Sequence, residues 1–189
     1  MRPIAATRSA TGIPTGRLAI WWLIVSEIVI FGGLLVGYIA HRLGHSEWAE
    51  MAAHTKPLAG AINTTVLLTS SLFAVLAHYA AEQGDGKKAA KLLYATVGGG
   101  LVFLVVKAIE WSLEISAGYT IGAGGFWAFY YTAAGLHGAH VVAGMIAMII
   151  VARDAQKGRE LQRVELVGLY WHFVDIVWIF LFPLLYIAR

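Results

Sequence analysis

The segment Tyr170-Trp-His-Phe-Val-Asp-Ile-Val-Trp-Ile-Phe-Leu-Phe-Pro183 decides the fold of this chain. It lies in an apolar run, roughly 166–188, that is long enough to cross a bilayer as a helix. His172 and Asp175 lie well inside this run, and residues three apart share one face of a helix. Ionisable side chains in hydrocarbon are costly unless they face protein, water or a partner. The segment is therefore predicted to pack inside a helix bundle.

The composition of the chain indicates an integral membrane protein. Of its 189 residues, 59% are hydrophobic and 13% are charged, whereas about 25% are charged in an average soluble domain. Four more apolar runs are long enough to span a membrane, at roughly 18–40, 58–81, 92–113 and 126–151. We predict an all-α bundle of five transmembrane helices over residues 18–189, preceded by a cytoplasmic N-terminal arm, residues 1–17.

The basic residues predict the orientation of the chain in the membrane. Ten lie on one side of the predicted spans: Arg2, Arg8, Arg17, Lys87, Lys88, Lys91, Arg153, Lys157, Arg159 and Arg163. Three lie on the other side, Arg42, Lys56 and Arg189, and Lys107 lies within a span. By the positive-inside rule the N-terminus is cytoplasmic and the C-terminus external. This distribution explains the net charge of +3 without nucleic-acid binding.

Four polar residues are predicted to form an inner layer near the middle of the membrane. From the cytoplasmic end of each span, the helical rise places Glu27 and Asp175 about 14 Å deep and His140 about 16 Å deep. His172 is shallower, at about 9 Å. Glu27, His140 and Asp175 are interpreted as a hydrogen-bonded link between three helices. Alternatively, the layer is a site for a proton or a lipid headgroup.

A second polar layer is predicted nearer the outer surface. Lys107 and Glu110 lie about 22 and 27 Å from the cytoplasmic end and share one face of the third span. Asn63, in the second span, lies at a similar height. The simplest interpretation of Lys107 and Glu110 is an internal ion pair.

Small residues recur at four-residue spacing in two spans. Gly33 and Gly37 lie in the first span, and Ala139, Ala143 and Ala147 in the fourth. This spacing is typical of helices whose backbones approach closely in a membrane. It predicts helix contacts at both stretches.

The sequence shows no self-contained catalytic site. Cysteine is absent, which excludes disulfides and thiolate chemistry. His137, His140 and His172 could hold haem or another metal, but the heights of His140 and His172 differ by about 7 Å, which suits a haem poorly. The predictions are therefore no catalytic, cofactor-binding or metal-binding residue in this chain.

Several stretches, in this order, resemble subunit III of the haem-copper respiratory oxidases. They are Ser26-Glu27 with Phe31, Ile62-Asn-Thr-Thr-Val-Leu-Leu-Thr-Ser70, Ala108-Ile-Glu110-Trp111, Gly135-Leu-His-Gly-Ala-His-Val-Val-Ala-Gly144 and Tyr170–Trp178. The resemblance covers roughly residues 17–188. This chain resembles the short five-helix form, since mitochondrial-type members have two more spans at the start. Lys107 stands where the family leads us to expect a neutral amide.

The resemblance implies a core subunit of a proton-pumping terminal oxidase in the plasma membrane of a prokaryote. Partner subunits I and II would hold haem and copper, reduce O2 to water and receive electrons from cytochrome c or quinol. Subunit III would carry no redox centre, bind phospholipid and support proton uptake. The family's membrane acids fall on Glu27 and Glu110, its motif histidines on His137 and His140, and its last motif on His172 and Asp175.

Three alternatives remain open at this point. The first is a homologous accessory protein of nitric oxide reductase, which shares the fold. The second is a small proton-coupled transporter that uses Glu27, His140 and Asp175 as a relay, although the chain lacks the inverted repeat typical of such proteins. The third is a membrane haem protein, which an absorption spectrum would reveal.

Overall fold

The computed structural model describes residues 12–187 as a bundle of helices. The elements are α1 (Thr15–Gly44), α2 (Glu47–Ala52), α3 (Pro57–Glu82), α4 (Gly86–Ser116), α5 (Gly125–Gln156), α6 (Gln162–Phe182) and a π-helix (Pro183–Ile187). Five helices are long and apolar enough to cross a membrane, the last including the π-helix. The prediction of an all-α bundle with five spans is thus confirmed. Most of the predicted arm, residues 1–17, lies outside the described residues.

The helices extend beyond the apolar runs because local signals outside those runs begin and end them. At the start of α4, the Asp85 carboxylate accepts a hydrogen bond of 2.9 Å from the backbone N–H of Lys88, which is a typical N-cap. Gly84 precedes it at φ +79°, a backbone conformation that favours glycine. Lys87, Lys88 and Lys91, predicted in a loop, therefore lie in the first turns of α4.

Helix α1 contacts the bundle along a narrow seam. Its buried residues are Ile24, Phe31 and Tyr38, spaced by seven. The residues at Trp22, Val29, Val36 and Leu43, also spaced by seven, are 67–85% exposed. A seven-residue spacing keeps one face of a helix toward its neighbour. The other side of α1 is consequently an apolar ridge, and α1 is the least buried of the five spans.

Of the small residues predicted to lie at helix contacts, Gly37 of α1 lies against α5, since a Cβ there would be 3.7 Å from the Phe129 ring. The closest packing occurs at other small residues. A Cβ added at Gly33 would meet nothing within 4 Å, and Ala139 and Ala143 are exposed. In contrast, a Cβ at Gly99 would lie 2.6 Å from Cβ of Ser70 on α3, and one at Gly60 would lie 2.5 Å from the Phe182 ring. Spacing along one helix identifies a stripe of small residues, but the direction in which the stripe faces depends on the partner helix.

The short helix α2 was not predicted, and it closes the end of the bundle away from the start of α1. Its Trp48 is 3% exposed and packs against Phe126 and Phe129 of α5. A Cβ at Gly125 would lie 3.0 Å from this indole, so the absence of a side chain there makes room for it. The connection from α1 to α3 is thereby held against the core.

The last helix changes its winding at Pro183. Proline has no N–H to donate and its ring displaces the carbonyl four residues earlier, and such sites often carry π-helical turns. Two side chains hold the π-helix in place. The Tyr38 hydroxyl donates to the Leu184 carbonyl at 2.8 Å, and the Tyr186 hydroxyl lies 2.6 Å from Nζ of Lys107.

Candidate functional site

Glu27 of α1 and His140 of α5 meet in the inner polar layer. Oε2 of Glu27 lies 2.9 Å from Nε2 of His140, and each side chain is 17% exposed. Glu27 follows Ile24 by three residues and precedes Phe31 by four, which places it at the edge of the buried seam of α1. The sequence prediction that Glu27 and His140 lie at the same height is consistent with this contact.

The hydrogen bonds of His140 define how many protons this pair holds. Nδ1 of His140 lies 2.8 Å from the Leu136 carbonyl oxygen, which can only accept, so Nδ1 carries a hydrogen. The 2.9 Å contact between Nε2 and Oε2 of Glu27 requires one proton between the two atoms. That proton can reside on the imidazole or on the carboxyl. The geometry suits a site that stores or passes one proton, or that binds a polar headgroup.

Aromatic rings surround the pair. Phe31 meets the His140 ring edge-on with centroids 5.1 Å apart, and Phe31 also contacts Phe173 of α6. The Tyr170 hydroxyl of α6 donates to the His140 carbonyl at 3.3 Å. Elements α1, α5 and α6 thus converge around one polar contact, which fixes the His140 ring between apolar neighbours.

His172 and Asp175 do not join Glu27 and His140 by hydrogen bonds, in contrast to the predicted link of Glu27, His140 and Asp175. Nδ1 of His172 lies 2.6 Å from the Ser71 hydroxyl on α3. Asp175 is 4% exposed, and neither of its carboxyl oxygens has a hydrogen-bond partner among residues 12–187. This face of α6 is turned toward α3, because Ser71 is also the α3 side chain that interacts with Asp175.

The outer layer contains a dense polar group that we call the Lys107 cluster: Lys107, Glu110, Glu114, Tyr130 and Tyr186. Nζ of Lys107 lies 3.1 Å from Oε2 of Glu110, which confirms the predicted ion pair. It also lies 3.1 Å from the Tyr130 hydroxyl and 2.6 Å from that of Tyr186. The rings of Trp111, Tyr130, Trp178 and Tyr186 surround the ammonium at 4.8–5.7 Å, a distance at which cation–π attraction operates.

Sequence reasoning missed three members of this cluster. Glu114 lies four residues after Glu110 on the same face of α4, and that spacing was an available signal. Tyr130 and Tyr186 come from α5 and the π-helix, and nothing in their local sequence indicates a partner on α4. Asn63 does not contact the cluster by a hydrogen bond. Its amide donates weakly to the Phe103 carbonyl at 3.4 Å.

The histidines do not gather as a metal site would require. Among residues 12–187, no three His, Cys, Asp or Glu side chains are grouped so that they could hold an ion. His137 is completely buried between the rings of Phe103 and Trp178. A metal ion that needs three such ligands therefore has no candidate site in the described part of the chain.

Comparison with known proteins identifies the family. The sequence model of cytochrome c oxidase subunit III matches residues 7–188. Cytochrome c oxidase subunit 3 of Corynebacterium diphtheriae is 32% identical over 170 residues, covering 86% of this chain and 83% of the relative. The protein of the same name from Bacillus sp. PS3 is 30% identical over 190 residues, covering 98% and 92%.

A third relative is named as a joined protein. The heme-copper oxidase subunit I+III of Aeropyrum pernix is 30% identical over 183 residues, covering 91% of this chain and 22% of the relative. The match to the family model, residues 7–188, extends across the five spans. This chain belongs to the cytochrome c oxidase subunit III family.

Proposed function

We propose that this chain is a non-redox core subunit of a proton-pumping terminal oxidase in the plasma membrane of a prokaryote. Subunits I and II of that complex would hold haem and copper, reduce O2 to water and receive electrons from cytochrome c or quinol. This chain would have no oxidase activity alone. Its part would be to stabilise the catalytic subunit, bind phospholipid and support proton uptake.

The observation that carries this proposal is the family match over residues 7–188. The subunit I+III relative adds support for a partnership with subunit I, because a region like this chain is part of one polypeptide there. The partner's binding surface is proposed to include the ridge of α1 at Trp22, Val29, Val36 and Leu43. An exposed ridge on the least buried span leaves room for contact with another membrane protein.

The Glu27–His140 pair is the proposed site for lipid or proton. It combines one shared proton with partial exposure, 17% for each side chain, so that a headgroup or a water molecule can reach it. Polar groups at this depth in a membrane commonly mark functional sites. The pair also connects α1 to the rest of the bundle, so that an occupant of the site would affect how firmly α1 is held.

Purification in mild detergent tests the proposed function. A tagged chain, expressed in its own host, is expected to bring down a haem-bearing subunit with oxygen-reducing activity. A nitric oxide-reducing partner would support the accessory role instead. A stable protein recovered without any redox partner would contradict both. A Val36→Trp variant on the α1 ridge should recover less partner than Ile146→Trp, a matched change on an exposed position of α5.

A further inference from the structure

The Lys107 cluster is buried, and its charges would not cancel if the lysine and both glutamates were ionised. Lys107 is 5% exposed, Glu110 and Glu114 are 2% exposed, and the two tyrosines are 0% exposed. With an ammonium and two carboxylates the cluster would carry one net negative charge. An unbalanced charge in an apolar interior is strongly unfavourable. Lys56, at the start of α3, is the other cation whose charge acts on Glu114, but it is on the exposed surface, where water screens its charge.

The hydrogen bonds of the cluster also indicate that one more proton is needed when both carboxyls are ionised. The three N–H groups of Lys107 have three acceptors, on Glu110, Tyr130 and Tyr186. The Tyr130 oxygen also lies 3.1 Å from the Tyr186 hydroxyl oxygen, and the same ammonium donates to both. Of the carboxyl oxygens, Oε1 of Glu110 lies 3.0 Å and Oε1 of Glu114 lies 3.2 Å from the Tyr130 oxygen. A hydroxyl has one hydrogen and can donate to only one of these two oxygens. If both carboxyls were ionised, the Tyr130 oxygen and one of these carboxyl oxygens would face each other with lone pairs and no hydrogen between them.

We propose that the Lys107 cluster binds one additional, exchangeable proton, located on Glu114 and donated to the Tyr130 hydroxyl oxygen. The Tyr130 hydroxyl then donates to Oε1 of Glu110, whose Oε2 is held by Lys107. Each close contact of Tyr130 with a carboxyl now contains a hydrogen. The cluster as a whole is neutral.

Three features select Glu114 rather than Glu110 as the carrier of the proton. Glu110 pairs directly with the ammonium, whereas Oε2 of Glu114 is buried without a partner among residues 12–187. Glu114 lies two residues before the end of α4 at Ser116. The end of a helix carries partial negative charge, which disfavours a carboxylate there. Other groups facing Glu114 are Tyr131 of α5 and Lys56, and neither is placed to pair with it.

The position of Glu114 also explains why this proton can exchange. The last turn of α4 lies at the end of the bundle away from the start of α1, next to the connection 117–124. Residues 117 and 118, which follow directly, are exposed, so the carboxyl lies within one helical turn of an exposed connection. This site is at the opposite end of the bundle's polar interior from the Glu27–His140 pair, and the proposal does not depend on the function proposed for that pair.

Infrared spectroscopy of the protein, purified in the complex in which it assembles, tests the proposal. A protonated carboxyl has a C=O stretch separate from the carboxylate bands, and this stretch shifts in D2O. The wild-type minus Glu114→Gln difference spectrum should show the loss of one such band per chain. The control, Glu165→Gln, removes a carboxylate that pairs with Arg17 at 2.7 Å, and it should remove no protonated band. Loss of the band in Glu110→Gln but not in Glu114→Gln would overturn the assignment.

A second variant keeps the test decisive if Glu114→Gln does not assemble. Tyr130→Phe keeps the ring and removes the oxygen to which Glu114 donates. The protonated band should persist and shift to higher frequency, because its O–H loses an acceptor. A spectrum of Tyr130→Phe identical to that of wild type in this region would overturn the proposal.

Discussion

Oε2 of Glu27 on α1 lies 2.9 Å from Nε2 of His140 on α5, although the two residues are 113 positions apart in the sequence. Because α1 touches the bundle along a narrow seam, this contact is an important polar link between α1 and the other helices. Each of the two side chains is also 17% exposed, so the pair lies partly open on the outside of the bundle. The chemistry of the pair and the attachment of α1 are therefore coupled.

Substitutions of Glu27 should separate these two roles. In Glu27→Gln the amide can still hydrogen-bond to His140, so assembly should be retained. In Glu27→Ala the imidazole loses its partner, at a cost of about 1–3 kcal/mol, and the thermal midpoint of the complex should fall. If the pair handles protons or lipid, Glu27→Gln should alter oxygen consumption over many turnovers or the amount of bound lipid. Identical turnover, lifetime and lipid content in Glu27→Gln and wild type would make Glu27 a structural residue only.

Removal of the buried ammonium should be strongly destabilising. Lys107→Met leaves Glu110, whose side chain is 1% exposed, without its cation. Removing one partner of a buried ion pair lowers the free energy of unfolding by about 3–5 kcal/mol. The double variant Lys107→Met/Glu110→Gln should recover part of this loss, as measured by thermal unfolding of the complex. A double variant no more stable than Lys107→Met would show that the lysine acts through its aromatic contacts rather than through the pair.

Two adjacent glycines in α4 offer a matched test of helix packing. In Gly99→Ala the new Cβ would lie 2.6 Å from Cβ of Ser70, and overpacking of this kind costs about 1–3 kcal/mol. In Gly98→Ala the new Cβ meets nothing within 4 Å. Alanine also favours a helix over glycine by about 0.5–1 kcal/mol. Thermal unfolding should therefore show Gly99→Ala less stable than wild type and Gly98→Ala equal or better. The reverse order would contradict the α3–α4 contact.

The orientation of the chain can be read from reporter fusions. Ten basic residues on one side against three on the other predict a cytoplasmic N-terminus and an external C-terminus. A reporter joined after Arg189 should be active outside the cytoplasm, and one inserted at Gly158, between α5 and α6, should be active inside. The opposite pattern would place the Lys107 cluster nearer the cytoplasmic side and the Glu27–His140 pair farther from it.

The sequence by itself determined the number of spans, the family and the Lys107–Glu110 pair. Each depends on local information: the length of an apolar run, the identity of residues in a short motif, or the geometry of positions three apart on one helix. The Glu27 and His140 heights were also accessible, since the helical rise gives depth from position in the sequence.

Only the tertiary structure decided which residues of equal height meet. Depth along the membrane normal says nothing about the rotation of a helix about its own axis. This is why His172 and Asp175, expected beside Glu27 and His140, face α3 instead, with His172 against Ser71. It is also why Tyr130 and Tyr186 could not be placed beside Lys107 in advance. In an apolar sequence many faces are equally suitable for burial, so the packing of whole helices, rather than local pattern, selects the contacts.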